Sequence, residues 1–250
     1  LCAESPQISY SFGTMEFISE DINASEVKSL QKDQQIRPTT LLASGKGSRC
    51  ELKTKNALWR LGSLSFAKWP HTGELWLHSG SALYCSEENN TVVFSSRNSK
   101  ATFQGKGTII VEALHNGGFK FIPVEALGTL TTTRGDTQKV QDGRMLLVLS
   151  SPSYFGDAYD LDLMLLLRSS RLINSYPEPL PTFNQIGLAI YVQQLKLKGK
   201  YDALIGNAPT IEKLEVWAFG KNKPKGSKEL IPQRKTTNKK KFWNRFLPSD

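Results

Sequence analysis

Three histidines, His71, His78 and His115, are the side chains of this sequence best suited to proton transfer or metal binding. None stands in an H-x-H or H-x-x-x-H pair, the spacings that put two imidazoles on one strand face or one helix face. They read as turn and surface residues. Cys2, Cys50 and Cys85 have no C-x-x-C spacing for a metal, and the His78–Cys85 pairing has no surroundings resembling a thiol-nucleophile site. Gly105-Lys106-Gly107-Thr108 resembles the end of a phosphate-binding loop, but Lys100 stands where the first glycine belongs. Ile109-Ile110-Val111 then continues as a strand where that loop needs a helix. Glu87-Glu88 could approach a cation, yet beside Asn89-Asn90 it reads as a solvated hairpin tip. Arg134-Gly135-Asp136 is an adhesion tripeptide and equally ordinary turn chemistry. These residues predict no catalysis, no metal and no cofactor.

Charge isolates a second kind of chemistry. The chain of 250 residues has a formal net charge of +9. From Lys221 onward, ten bases face two acids, so +8 of the charge lies there and the body is near neutral. That distribution disfavours a nucleic-acid groove across the fold. Lys239, Lys240, Lys241, Phe242, Trp243 and Arg245 set aromatics against cations. This suits an anionic surface, with charge for attraction and rings for insertion or stacking.

The elements that position these residues are legible from periodicity. Trp59-Arg60-Leu61, Leu75 to His78, Thr91 to Phe94, Thr108 to Val111, Phe119 to Ile122 and Leu146 to Leu149 are rich in β-branched and aromatic residues. Turn signals part them: Ser44 to Gly47, Thr72-Gly73, Glu88 to Asn90, Asn116 to Gly118, Arg134 to Asp136 and Asp142-Gly143. Strands without long helices between them predict a mainly β fold, an antiparallel sandwich or roll, over 25–150. A helical extension is expected over 151–220. Asp157 and Asp160 precede a stripe of Leu161, Met164, Leu165 and Leu172. Pro177, Pro179 and Pro181 make an extended connector. Thr182 with Gln185 then opens a capping-box helix carrying Phe183, Ile186, Ile190 and Leu197 and stopping near Gly199. Residues 1–24 form an N-terminal segment and 221–250 a disordered basic tail.

Leu1-Cys2-Ala3-Glu4-Ser5 resembles the end of a secretory signal, with Cys2 a candidate for lipidation. In an oxidising compartment Cys50 and Cys85 either pair or stay as buried free thiols. Asn23 and Asn89 fit the glycosylation pattern. Trp59, Trp69, Trp76, Tyr84 and Phe94 belong to the core on the simplest reading; the alternative makes them an aromatic platform for carbohydrate.

Several segments, in order, resemble the FecR-type extracytoplasmic domain. They are Ser44-Gly45-Lys46-Gly47-Ser48, Trp59-Arg60-Leu61-Gly62-Ser63 and Leu77-His78-Ser79-Gly80-Ser81, then Lys100 to Thr108 and Val140 to Met145. Tyr159 to Leu163, Leu167 to Leu172 and Leu180-Pro181 resemble the continuation of this domain in envelope proteins of verrucomicrobia and relatives. The resemblance spans about 26–190. It implies a non-catalytic β-rich domain outside the cytoplasm that acts through an envelope protein or polymer, in signal sensing or surface assembly, with homo-oligomers among its modes. Family regulators carry a sigma-binding segment and a spanning helix ahead of this domain. Residues 1–24 hold neither, so a periplasmic, surface or secreted binding protein is expected. Independently of that family, Gly62, Gly80, Gly105 and Gly143 are expected at strand ends, with Ser63, Ser81 and Thr108 bonding backbone there.

Overall fold

The computed structural model describes residues 6–18, 27–30, 32–38, 40–71, 73–150 and 152–197. The tail residues Lys239 to Arg245, the signal-like start, Asn23 and the segment 201–220 lie outside them.

The strands are β1 (Gln7–Phe12), β2 (Met15–Ile18), β3 (Val27–Ser29), β4 (Leu41–Ser44), β5 (Arg49–Lys53), β6 (Leu58–Leu61) and β7 (Phe66–Lys68). There follow β8 (Glu74–Ser79), β9 (Ser81–Ser95), β10 (Lys100–Ala113), β11 (Phe119–Thr132), β12 (Thr137–Lys139), β13 (Arg144–Leu149) and β14 (Tyr154–Asp160). Helices α1 (Leu163–Ser169), α2 (Arg171–Asn174) and α3 (Phe183–Leu197) come last. The mainly β fold with helices after the strands is as expected. All described strands join one sheet, antiparallel except where β8 runs parallel to the second half of β9.

The sheet doubles over on itself because β9, β10 and β11 are long enough to serve two layers. Their Ala82–Cys85, Thr108–Ala113 and Phe119–Glu125 parts line up with β6, β5 and β1 on one side and β13 and β14 on the other. Their other halves line up with β8, β7, β4, β2 and β3, and with β12. Trp59, Tyr84, Phe94, Phe103 and Phe121 pack between the layers, with ring centroids 4.7–6.2 Å apart along the cluster. Period-two alternation sends Leu58, Leu83, Cys85, Ile110 and Ile122 to the opposite face of the first layer, where Leu163, Leu172, Ile186 and Ile190 cover them.

The bend explains one glycine that the sequence reading placed elsewhere. Gly105 was expected at a strand end; it lies within β10, paired across the ladder with Gly128 of β11. A Cβ on Gly105 would stand 2.1 Å from the Leu127 carbonyl oxygen, and one on Gly128 2.2 Å from that of Gln104. Two strands cross this closely only where both lack side chains. Opposite them, β9 holds three residues between Ser86 and Asn90 where β10 holds one between Gly105 and Gly107. Glu87 to Asn89 is therefore a bulge inside a continuous strand and not a hairpin tip.

At one edge the chain crosses repeatedly between layers, and serines tie the crossings together. Ser65 Oγ lies 3.1 Å from the Ser81 carbonyl and accepts from Ser81 N–H at 2.9 Å; Ser44 Oγ donates to the Gly62 carbonyl and accepts from Ser65 N–H at 2.8 Å. Ser63 Oγ accepts from Gly47 N–H at 2.7 Å, and Ser48 Oγ from Thr14 N–H at 2.9 Å. Gly80, at φ +80, makes the β8–β9 crossing. The glycine–serine motifs are thus stacked turns of one seam.

Several boundaries differ from expectation. β1 and β2 fall within 1–24 yet are full members of the sheet, and β14 lies beyond 150, because β5, β4 and β13 need edge partners. Asp157 and Asp160 are strand residues; Asp162 caps α1, accepting from Leu165 N–H at 3.1 Å. The single stripe from Leu161 to Leu172 breaks at Ser170, whose extended ψ of 110° closes α1 and opens α2. Cys50 faces the inter-layer core and Cys85 the helical side, so the two buried thiols are free and unbridged. Burial pushes the Cys50 thiol up to about 12.

Gly128→Ala tests the bend. Its urea midpoint is expected to fall by the equivalent of about 2–3 kcal/mol, the scale of forced backbone strain. A loss within about 0.5 kcal/mol, the range of a surface change, would contradict the close crossing.

Candidate functional site

The helical layer is held on the sheet by one buried side chain. Arg60 of β6 points to the covered face and has no exposure. Its Nε donates to Glu51 Oε2 at 2.9 Å, from the strand position directly opposite. Nη1 donates to the carbonyls of Leu172 and Ile173, both at 3.0 Å, and Nη2 to that of Glu178 at 2.6 Å. The guanidinium plane lies 4.1 Å from the Tyr176 ring centroid. Tyr176 Oη reaches the carbonyls of Leu61 (3.1 Å) and Cys50 (3.3 Å), and burial drives its phenol well above the usual range. Glu51 is completed by Ser9 Oγ at 2.8 Å and Lys53 Nζ at 3.6 Å. Arg49 repeats the device at the rim, donating to the Ser175 carbonyl at 2.6 Å with its guanidinium 4.3 Å from the Phe12 ring.

This clamp fixes 172–178, and three further contacts seat α3. Thr182 Oγ1 hydrogen-bonds Thr108 Oγ1 and lies 3.5 Å from Cys85 Sγ. Its hydroxyl serves that junction, and Thr108, expected to bond turn backbone, meets a side chain instead. Gln193 spans α3 to the α1 entry, donating to the Leu161 carbonyl (2.8 Å) and accepting from Leu163 N–H (3.0 Å). Ile186, Ala189 and Ile190 fill the space between.

With that face committed, α3 presents a second apolar face outward. Leu188 is 63% exposed, Tyr191 60%, Val192 40% and Leu195 54%. Their i, i+3, i+4, i+7 spacing makes one stripe, opposite the Ile186–Ala189–Ile190–Gln193 stripe that packs inward. Contiguous apolar surface of this kind makes α3 a candidate contact surface. The pattern Phe183, Ile186, Ile190 and Leu197 expected from the sequence holds for Ile186 and Ile190, whereas Phe183 is 44% exposed, and it does not contain the outer set. An all-round apolar helix was the available signal.

Beside α3 lies a carboxylate pair. The bulge at Val124 turns Glu125 toward the helical side, near Asp142, which accepts from Ala126 N–H at 2.9 Å. Burial, then the Asp142 charge, push Glu125 above the ordinary carboxylate range against the pull of Lys106. Burial likewise raises Asp142, offset by the Ala126 N–H bond and Lys196 of α3.

The other candidates are dispersed. His71 and His115 are exposed in turns, and His78 packs 5.4 Å from the Trp76 ring. Among the described residues no group of three or more His, Cys, Asp or Glu could hold a metal. Arg134 to Asp136 is an exposed turn between β11 and β12. Glu87 and Glu88 lie within the β9 bulge. Of the five aromatics set out for a carbohydrate platform, Trp59, Trp69, Tyr84 and Phe94 are buried core; Trp76 alone is half-exposed, beside Phe66 and His78. No described helix is long and apolar enough to cross a membrane.

Arg60→Met strands Glu51 and three carbonyls and is expected to cost about 3–5 kcal/mol by chemical denaturation. Pairing it with Glu51→Leu should restore much of that loss; an additive double variant would refute the clamp. Glu125→Gln checks the carboxylate pair. A carboxyl raised on folding contributes stability below its ordinary pKa and loses it as pH rises through the raised value. Glu125→Gln should therefore raise the urea midpoint at about pH 7 and lose that advantage toward about pH 4.

No family model and no curated protein matches the chain. Two crystal structures of a "putative anti-sigma factor" from Parabacteroides distasonis are similar to it, with TM-scores of 0.41 and 0.40 and 8% identity. Each match covers 52% of this chain, and 65% or 64% of the other. The similarity is confined to about half of this chain and about two thirds of those proteins, and at this level it carries no assignment of role.

Proposed function

We propose that this chain is a non-catalytic binding protein of the cell envelope, a FecR-like β domain whose helical layer is its contact surface. The observation that carries the reading is the outward stripe Leu188, Tyr191, Val192 and Leu195 on a helix whose other face is fixed by Ile186, Ile190 and Gln193. A rigid scaffold presenting an apolar stripe avoids ordering costs on association, which is what a recognition surface requires. The chemistry-bearing side chains of the interior support the same reading. Arg60, Glu51, Tyr176, Thr108 and Thr182 are spent on one another or on backbone, as a scaffold requires.

The extracytoplasmic part of this reading is supported by the order of the glycine–serine motifs, through their resemblance to the FecR-type domain. Signal sensing and surface assembly both employ a domain of this kind. The carbohydrate reading loses its platform, since four of its five aromatics are interior.

Capture from detergent-solubilised envelope extract tests the proposal. Immobilised full-length chain is expected to enrich an envelope component, and the exposed double variant Leu188→Asp/Leu195→Asp to lose it by about tenfold. Equal capture by both proteins would overturn the assignment of α3 as the contact surface.

A further inference from the structure

We propose that Asn89 is a glycan acceptor, modified by a transferase that moves an oligosaccharide from a polyprenyl diphosphate to an asparagine amide. The proposal rests on the envelope location in the reading above, since such transfer takes place outside the cytoplasm. Glu87-Glu88-Asn89-Asn90-Thr91 holds the asparagine and, two places on, the hydroxyl that this chemistry reads. Glu87 adds the carboxylate two places ahead that bacterial transferases of this class also require. So short a pattern arises by chance; what singles out Asn89 is how the fold presents it. Glu87 to Asn89 stand out of the ladder between the Ser86–Gly107 and Gly105–Asn90 pairs. Glu87, Asn89 and Thr91 are exposed, whereas Asn90 turns back, its Nδ2 donating to Ser86 Oγ at 2.8 Å. Ser86 Oγ in turn donates to the Asn56 carbonyl at 2.8 Å and accepts from Glu88 N–H at 3.2 Å. These bonds fix the bulge from its inner side. The Asn89 amide and the Thr91 hydroxyl have no hydrogen-bond partner among the described residues, so both are accessible without unfolding the strand.

The surroundings suit what would be attached. Beside Asn89 lies an open cleft of about 340 Å³, lined by Thr91, Gln104, Leu127 and the crossing glycines Gly105 and Gly128. Gln104 offers an amide to sugar hydroxyls, and Leu127, 60% exposed, offers an apolar side chain to the face of a sugar ring. Asn23 shares the sequence pattern, but it lies outside the described residues and no such presentation argues for it. In the transfer, the Asn89 amide nitrogen bonds to the anomeric carbon of the first sugar. The anomeric C–O bond breaks, the polyprenyl diphosphate leaves with its electron pair, and the amide proton passes to a base of the transferase. No oxidant or reductant is needed.

Incubation of the folded full-length chain with a bacterial oligosaccharyltransferase and a polyprenyl-diphosphate-linked oligosaccharide tests this, with peptide mass spectrometry as the readout. One glycan is expected on Asn89. It should vanish in Asn89→Gln and in Thr91→Ala and diminish in Glu87→Gln, with circular dichroism unchanged in all three. Transfer only to the urea-unfolded chain, or to Asn23 alone, would overturn the proposal. A second arm separates the acceptor from the location: the chain and the transferase are expressed together in bacteria, and the chain is recovered from cytosol and envelope. Glycan on Asn89 of the envelope fraction supports both. An exported chain left bare at Asn89 overturns the acceptor. A chain confined to the cytosol and bare there, yet modified at Asn89 in the purified reaction, overturns the envelope location and leaves the acceptor geometry standing.

Discussion

A guanidinium withdrawn wholly from water must have its donors answered by the protein, and Arg60 is answered by groups from two parts of the chain. Glu51 supplies the countercharge from the neighbouring strand; the carbonyls of Leu172, Ile173 and Glu178 come from a stretch more than a hundred residues later. An ion pair so deep is a poor source of stability, because desolvation consumes most of the attraction. Its value is positional. Carbonyl oxygens at 2.6–3.0 Å around a planar fork admit one placement of the 172–178 segment, and a shifted segment would leave buried charge uncovered. The prolines that follow keep the chain extended into α3, so the orientation of the outer stripe descends from this contact.

The glycine–serine seam works in the opposite regime. Each of its bonds is neutral and modest. Together they join the crossings of 13–14, 45–48, 62–65 and 79–81 along one edge of the sandwich. A resemblance built on short Gly-Ser steps is therefore a resemblance in how layers are stitched, and it says little about what the layers hold.

Much of the architecture was legible from residue patterns. The strand segments at 59–61, 75–78, 91–94, 108–111, 119–122 and 146–149 all lie in observed strands, and α3 begins after Thr182 as the spacing suggested. What escaped was non-local. Arg60 stands in the expected strand segment Trp59-Arg60-Leu61, and nothing near it in sequence announces carbonyls from 172–178. Glu88-Asn89-Asn90 has turn composition, yet the crossing of Gly105 and Gly128 holds it in a ladder. The helical stripe from Leu161 read as one element because Ser170 gives no strong break signal on its own. For the interaction surface, counting only the apolar positions needed for a core concealed that α3 has more of them than the core uses.

Strands that belong to both layers have a mechanical corollary. Because β9, β10 and β11 each run through the bend, the two layers cannot hinge apart like the covers of a book, nor can either melt alone. β9, β10 and β11 pair through the short turns at 96–99 and 114–118, whereas the pairings of β1 with β5, β2 with β4, β4 with β7 and β6 with β9 must close larger loops and are expected to be the slow steps of folding. Once closed, the body opens as a single unit, and a load applied to one layer is carried directly into the other through continuous backbone.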